Sequence, residues 1–540
     1  MESDEYLKKR KMLYKVPFIV SVSILAMFFA LVILDPYLAV IIGSLIILLV
    51  VYKSFINFPM SLYAVRKIKK TMEKDYYEDI KEKYEEVFHI VLSPAYMEEK
   101  EDLYEEKVIS TRKSSISENI AVVFVLEQND EKAHNIVRNL RKKYENVFMI
   151  IHPPEEGVVR GKSSAMAYAG KLIGAIRYGR RFEIPEKANS TVVEETERFM
   201  EEFRPLIMDK EVVIHDTDID YWFPHNYFEY FTYTYLNTEN RKSAIFQPII
   251  ALINNLDKVR FFSRNIALST TYESINSNFS SILRSAFSAY AVSLELLDRA
   301  GYWRPDVIQE DSAFYWRARL KLGRKKIKFV PMSMPVFGNA IEGSTWRKEF
   351  EAQWKQLARW GIGTSDMADI WLSDAPISEK LFSIPWWIKF HLLWETTGLI
   401  GLVTMLVSMI LGYGPVPAFV YFGSYILTLL GMTISSKVLE DAAYYERISM
   451  FGDEETAIIV SPQTIENAYP VLFESRFPAP IVNREVVTAT ALVIAAESSK
   501  RTILWIDIGY IAALSVSSIC ALHGAYRAFK YDLRYVVASK

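Results

Sequence analysis

Two charge-free stretches stand back to back near the start of the chain, Pro17 to Leu34 and Tyr37 to Tyr52, separated only by Asp35-Pro36. Each is about the length that crosses a ~30 Å hydrocarbon core at 1.5 Å per residue. Asp-Pro is a turn signal, so the pair reads as a helical hairpin. A cleaved signal peptide fits less well, because a second span follows at once and no small-residue cleavage site separates the two. A second apolar block, Thr396 to Ser436, also lacks any charge, and Gly412, Gly414, Pro415 and Pro417 break it into a second hairpin. Ahead of it, the Trp-rich run Ile384 to Trp394 reads as a helix lying in the membrane interface, since Trp prefers the headgroup level. A last span runs from about Ile503 to Tyr526, and Val486 to Ala496 is a further, partial candidate.

Charge sets the expected orientation. Lys8, Lys9, Arg10, Lys11 and Lys15 precede the first span, and Lys53, Arg66, Lys67, Lys69 and Lys70 follow the second. Both ends of the first hairpin, and the polar segment after it, should then be cytoplasmic. Arg527, Lys530 and Arg534 at the far end prefer the same side, which six spans satisfy and five do not. The expectation is a multi-pass integral membrane protein in contact with membrane lipid. Composition agrees: charged residues at 24% suit water, yet mean hydropathy is slightly positive. The near balance of 63 basic and 65 acidic residues argues against a nucleic-acid partner. A lone Cys520 excludes an intramolecular disulfide and any multi-cysteine metal site, which leaves carboxylates to hold a cation.

The polar segment divides by pattern. Residues 58–86 are rich in Lys, Glu and Tyr without Gly and read as a helical connector. From Val87 to Phe337, β-branched runs alternate with amphipathic stretches, the signature of an α/β domain with a largely parallel sheet. Strands are expected at Val87–Leu92, Ala121–Leu126, Val147–Ile151, Val212–His215 and Ala244–Pro248, and helices at Glu131–Tyr144 and Ser163–Tyr178. Arg180–Pro205 is charged and is either helix or loop. The chain thus divides into a hairpin (1–57), a connector (58–86), a cytoplasmic α/β domain (87–375), an interfacial helix with a second hairpin (376–436), an unassigned stretch (437–502), and a last span with a basic tail (503–540).

In such a domain the chemistry lies just beyond the C-terminal ends of the strands. Asp216 and Asp218 follow the fourth strand two residues apart, so both side chains can point to one side. Paired carboxylates suit Mg2+ or Mn2+ and, through it, a diphosphate; an acidic turn is the plain alternative. Glu310-Asp311 opens an aromatic helix, either as N-terminal charges complementing the dipole or as a general base in a cleft. Gln356, Arg359 and Trp360 share a helix face. They offer a phosphate clamp and a platform for a sugar ring, or simply an aromatic packed towards the membrane. Gly161-Lys162 can present an ammonium and amides to phosphate, though only three residues separate Gly157 from Gly161 where a P-loop needs four.

Taken in order, these residues resemble the inverting family 2 glycosyltransferases with a GT-A domain, from about Val87 to Trp360. Pro94-Ala95-Tyr96-Met97-Glu98-Glu99 resembles that family's P-x-Y-N-E, with Met97 in place of Asn. Glu127 falls in its second-strand acidic turn, and Gly161-Lys162-Ser163-Ser164-Ala165 resembles its G-K-x-x-A. Asp216-Thr217-Asp218 matches D-x-D, Phe246-Gln247-Pro248 its fifth-strand Gln-Pro element, Gln309-Glu310-Asp311 the x-E-D motif, and Gln356 to Trp360 the Q-x-x-R-W motif. The flanking hairpins also resemble those of cellulose and hyaluronan synthases. The resemblance implies a Rossmann-like GT-A domain plus an α-helical transmembrane region. It implies a hexosyltransferase of polysaccharide biosynthesis, with Asp311 as base and Mg2+ or Mn2+ on Asp216 and Asp218. Tyr96, Glu98, Glu127, Lys162, Asp216, Gln356 and Arg359 would bind the nucleotide-sugar donor, a UDP-sugar first. Glu310 and Trp360 would meet a polysaccharide or glycolipid acceptor.

Three other functions share parts of this pattern. Transfer of one sugar to a lipid carrier fits the same motifs. A transporter or channel with a non-catalytic cytoplasmic domain needs ionisable groups inside its spans; the hairpins have none, and the last span has only Asp507 and His523 near its ends. A glycoside hydrolase also uses two carboxylates but has no need of a diphosphate clamp.

Overall fold

Seven strands form one mixed sheet: Val87–Ala95 (β1), Ile120–Glu127 (β2), Val147–His152 (β3), Glu211–Asp216 (β4), Ala244–Leu252 (β5), Ala291–Ser293 (β6) and Lys328–Gly338 (β7), in the order β3-β2-β1-β4-β6-β5-β7. The computed structural model describes residues 4–451 and 500–530, apart from Met97, Glu99, Glu156, Gly157, Ser281, Ile282 and residues 413–415. Readings that rest on Met97, Glu99, Gly157, Gly414, Pro415, Val486–Ala496 and Arg534 lie outside the described residues.

All five expected strands are present, each within a few residues of its expected ends. β6 and β7 are additional. β6 is only three residues long, too short to show a period, and runs antiparallel to both β4 and β5. β7 contains Pro331 and Pro335, which argue against a central strand; it lies at the edge of the sheet, where proline is tolerated. β1 is buried almost throughout, as a strand covered on both faces must be. Its alternate residues serve two cores: Val87 and Val91 pack with Val122 and Phe124, while Phe88, Ile90 and Leu92 pack with Ala121, Val123 and the helix Lys162–Tyr178. The charged stretch after Arg180 resolves into a loop and then the helix Ser190–Ile207, capped by Asn189.

The topology fixes where a ligand can sit. From β1 the chain steps outward to β2 and β3, then returns to place β4 on the other side of β1. The parallel strands β1 and β4 are paired with Leu92 opposite Asp216. Connections leave this junction in opposite directions, which opens a crevice at the strands' C-terminal ends.

Among the described residues, three helical stretches are long and apolar enough to cross a membrane: Glu5–Leu34, Pro36–Glu73 and Ile377–Ile410. Asp35 turns the first hairpin as an N-cap, its side chain accepting the Leu38 N–H at 3.0 Å ahead of Pro36. Two boundaries differ from the sequence reading. The second apolar helix does not stop at residue 57 but runs on to Glu73, since nothing breaks it but Pro59, which it absorbs. The Trp-rich segment is continuous with the following span through one π-helical turn, Ile388–Leu392. Its composition showed an interfacial preference, but composition does not show where a helix ends.

The C-terminal helix Lys500–Phe529 lies against the helix Trp346–Gly361. Two glycines make this approach possible. A Cβ on Gly361 would strike the Ala521 carbonyl oxygen, and one on Gly524 would strike that of Ala358. Backbone is the obstacle in both cases, so relaxation is costly. Gly361→Val is expected to destabilise the protein by about 1–3 kcal/mol, seen as a lower thermal midpoint in detergent. An unchanged midpoint would show that the two helices do not pack this way.

Candidate active site

β4 ends at Asp216, whose side chain is fully buried at the mouth of the crevice. Its backbone N–H donates to the Tyr290 carbonyl (2.9 Å), and that of Thr217 donates to Leu92 (3.2 Å), so the strand end is held from both sides. Lys107, buried on the helix Glu101–Arg112, holds the next residues. Its Nζ donates to Thr217 Oγ1 at 3.2 Å and to the Asp218 carbonyl at 2.8 Å. Asp220 Oδ2 accepts the Asn339 N–H at 3.3 Å, joining the loop to the end of β7.

Lys162 begins the helix Lys162–Tyr178, directly after Gly161, whose φ of 123° suits glycine. Its Nζ lies 2.9 Å from Asp216 Oδ1, 2.9 Å from Asp218 Oδ1 and 2.8 Å from Glu310 Oε1. A fourth contact reaches Ser288 Oγ at 3.3 Å. Burial opposes the ammonium's charge, but the three carboxylates outweigh it and hold its pKa well above the usual lysine value. Asp216 shows the converse. Burial drives its pKa well upward, Lys162 pulls it back, and Glu310 and Asp218 add to the rise. The ammonium pairs with Oδ1 of Asp216, and Oδ2 has no hydrogen-bond partner.

The acidic pair at the start of the helix Glu310–Leu322 divides between its two readings. Glu310 turns to Lys162, whereas Asp311 Oδ1 accepts the N–H of Ser312 at 2.7 Å, as a helix N-terminal charge does. Asp311 stays partly accessible, yet its surroundings push its pKa up to about 7. Burial is the main cause and the neighbouring Glu310 the next, against the pull of Lys162. Such a group changes protonation near neutrality.

Gln309 joins this helix to the Q-x-x-R-W segment. Its Nε2 donates to the carbonyl oxygens of Arg359 (3.1 Å) and Trp360 (2.7 Å). Its Oε1 sits where only a glycine, Gly363, leaves room. Within that segment Gln356 is buried and accepts from Gln353 Nε2 at 2.9 Å, and Arg359 is part-buried. Trp360 packs partly against Leu357, Ile266 and Cys520, so the packing reading holds for part of its surface.

The structure therefore brings Lys162, Asp216, Asp218 and Glu310 together, places Asp311 beside them, and ties the backbone of Arg359 and Trp360 to the same helix start. The remaining expected residues sit further along the sheet edge. Tyr96 follows β1. Glu98 Oε1 accepts the Lys100 N–H at 3.0 Å, shaping a turn. Glu127 ends β2, its carboxylate 3.6 Å from His152 Nδ1. Three contributors were not singled out from sequence. Lys107 and Asp366 look like surface charges on helices, and Ser288 lies in a featureless loop. Gln247, in the Gln-Pro element, fixes that loop, accepting the Phe287 N–H at 2.8 Å and donating to the Ser288 carbonyl at 3.2 Å.

No family model and no curated protein matches the chain. Among solved structures it is similar to a mannosyltransferase of Pyrobaculum calidifontis in complex with GDP-mannose and Mn2+, at 13% identity and a TM-score of 0.40, over 74% of this chain and 98% of that one. It is also similar to residues 1–349 of S. aureus TarS, at 12% identity and a TM-score of 0.30, over 72% and 94% of the two chains. Overlaps this loose carry no statement about side chains.

The raised pKa of Asp311 has a consequence for stability. A carboxyl that titrates near 7 when folded, against 3.8 when unfolded, favours folding below 3.8, and that contribution is lost as pH rises through 7. Asp311→Asn mimics the protonated form. It should raise the thermal midpoint at pH 8, with a gain that shrinks as pH falls towards 4. A midpoint lowered at pH 8 would contradict this.

Proposed function

We propose that the chain is an inverting membrane glycosyltransferase of the family 2, GT-A type. It moves a sugar from a nucleoside-diphosphate sugar, a UDP-sugar in the first instance, to a hydroxyl of a polysaccharide or glycolipid. The observation that supports this most is the juxtaposition of the Lys162–Asp216–Asp218–Glu310 cluster with Asp311 at the switch point of the sheet. Two strand-end aspartates, a buried ammonium and a carboxyl that titrates near neutrality are what displacement of a diphosphate by a hydroxyl requires.

A divalent cation fits Asp216 and Asp218. Asp216 is buried, and its Oδ2 lacks a hydrogen-bond partner. Among the described residues no three His, Cys, Asp or Glu side chains form a cage. The donor diphosphate and water would have to complete the coordination, as they commonly do for Mg2+. When bound, the cation supplies Lewis-acid neutralisation of diphosphate charge. Lys162, released from its carboxylates, turns to the phosphate oxygens with Arg359. Glu127, two strands across from Asp216 and four residues beyond the row that Asp216 shares with Leu92 and Val123, meets the nucleoside end, with Tyr96 and Glu98 between. Asp311 takes the proton of the attacking acceptor hydroxyl, which attacks the anomeric carbon from the face opposite the diphosphate. Glu310 and Trp360 orient the acceptor, and Gln356 supports the segment that carries Arg359. With both ends of the first hairpin in the cytoplasm, the crevice faces the compartment where nucleotide sugars are made.

The purified protein in detergent, given a panel of UDP- and GDP-sugars with Mg2+ or Mn2+, should release nucleoside diphosphate from one of them. Product size then separates single transfer from polymerisation. Asp311→Asn should lower transfer by at least roughly a hundredfold while donor binding survives, and Asp218→Asn should need a higher divalent concentration for any release. Normal turnover by Asp311→Asn, or no divalent-dependent release from any donor, would overturn the assignment.

A further inference from the structure

Arg10 lies in the short helix Asp4–Leu13, ahead of the first apolar span, in a basic cluster that sequence explains by membrane orientation alone. Yet its side chain is only 2% exposed. Its Nε donates to Asp369 Oδ1 at 2.8 Å and its Nη1 to Asp306 Oδ2 at 2.6 Å. Arg304 completes the group, donating from Nε to Asp306 Oδ1 at 3.0 Å, with Nη1 2.9 Å from Asp369 Oδ2. Two guanidinium groups and two carboxylates thus form a closed quartet, the arrangement that makes a buried arginine tolerable.

The quartet brackets the site. Asp306 stands five residues before Asp311, in the loop that delivers it. Asp369 stands three residues after Asp366, on the helix Asp366–Leu372. Asp366 is buried, and its Oδ2 accepts from Ser312 Oγ at 2.6 Å. The N–H of that same Ser312 is the donor to Asp311. One serine therefore links the two aspartates, by its hydroxyl to one and its amide to the other.

We infer that Asp366 is a positioning residue for Asp311, acting through Ser312, and that Arg10 latches it in place from the N-terminal helix. This rests on Asp311 being the base. The charges involved can be named. Asp311 faces Glu310, Lys162, Asp366 and Tyr290, with burial and Glu310 the larger influences and Asp366 a smaller one that raises its pKa. Asp366 faces Ser312, Asp369, Arg304 and Arg10, and burial chiefly pushes its own pKa up to about 7. A negative Asp366 discourages ionisation of Asp311, while the hydrogen bonds through Ser312 fix the rotamer from which Asp311 reaches the acceptor.

The test uses the full-length protein and the donor identified by nucleoside diphosphate release. Asp366→Asn and Arg10→Ala should each lower kcat by roughly tenfold to a hundredfold, with donor KM within about threefold of the parent. In Asp366→Asn the acid limb of the kcat–pH profile should also move to lower pH, because a like charge beside Asp311 has gone. A variant that merely loosens the fold would lose rate without moving that limb. Ser312→Ala leaves both carboxylates in place and should lower kcat several-fold. If Asp366→Asn loses donor binding, Ser312→Ala and Arg10→Ala decide the matter. Parental kcat in Ser312→Ala, or an unmoved acid limb in an Asp366→Asn protein that still binds donor, would overturn the inference. Asp311→Asn run alongside separates the two claims: an active Asp311→Asn removes the base itself, whereas an inactive one beside a normal Asp366→Asn removes only the latch.

Discussion

The site depends on one ammonium held among three carboxylates. Without Lys162, the carboxylates of Asp216, Asp218 and Glu310 would face one another in a buried crevice, where like charges repel strongly. They come from two elements far apart in sequence, a strand end and a helix start, and Lys162 from a third. The contact is therefore both the electrostatic condition for the crevice and the point where three parts of the domain are registered. An enzyme that must admit a diphosphate with its cation can use such a group as a placeholder, because the incoming charges supply what the lysine supplies in their absence. The proposed chemistry and the resting structure are then two occupancies of the same charge arrangement.

Around this centre the protein uses buried polar ties rather than bulk. Lys107 holds the loop after β4, Gln247 holds the loop of Ser288, and Gln309 holds the backbone of Arg359 and Trp360. Lys107 and Gln309 sit one step behind residues proposed to meet substrate, and Gln247 sits behind a partner of Lys162. Buried groups of this kind are costly if left unsatisfied, which makes the local geometry close to unique.

Sequence revealed the parts whose signal is local. β1 to β5 were legible because buried parallel strands are continuous β-branched runs, and Asp35-Pro36 because a capping side chain followed by proline is a short-range signal. β7 was hidden by its prolines and β6 by its length. The two helix boundaries were missed because apolar composition reports where a helix meets lipid, not where its hydrogen bonding stops. In the site, Asp216, Asp218, Glu310 and Lys162 were picked out by type and spacing. Lys107, Asp366 and Arg10 were not, since a charge on an amphipathic helix reads as solvated until tertiary packing buries it. What distinguishes Arg10 from Lys8 or Lys9 is a pair of aspartates some three hundred residues away.

The unbroken helix Pro36–Glu73 bears on scale. At 1.5 Å per residue it is about 57 Å long, nearly twice the ~30 Å of a hydrocarbon core. Its apolar half is long enough to cross that core, and its other half is a post packed against the α/β domain at Ala64, Ile68 and Met72. In the proposed membrane enzyme, the height of the crevice above the bilayer would then be counted in helical residues. Each residue adds 1.5 Å of length and about 100° of rotation to a helix. For the proposed transferase, the length of this helix would be a ruler for where on a membrane-anchored acceptor a sugar can be placed.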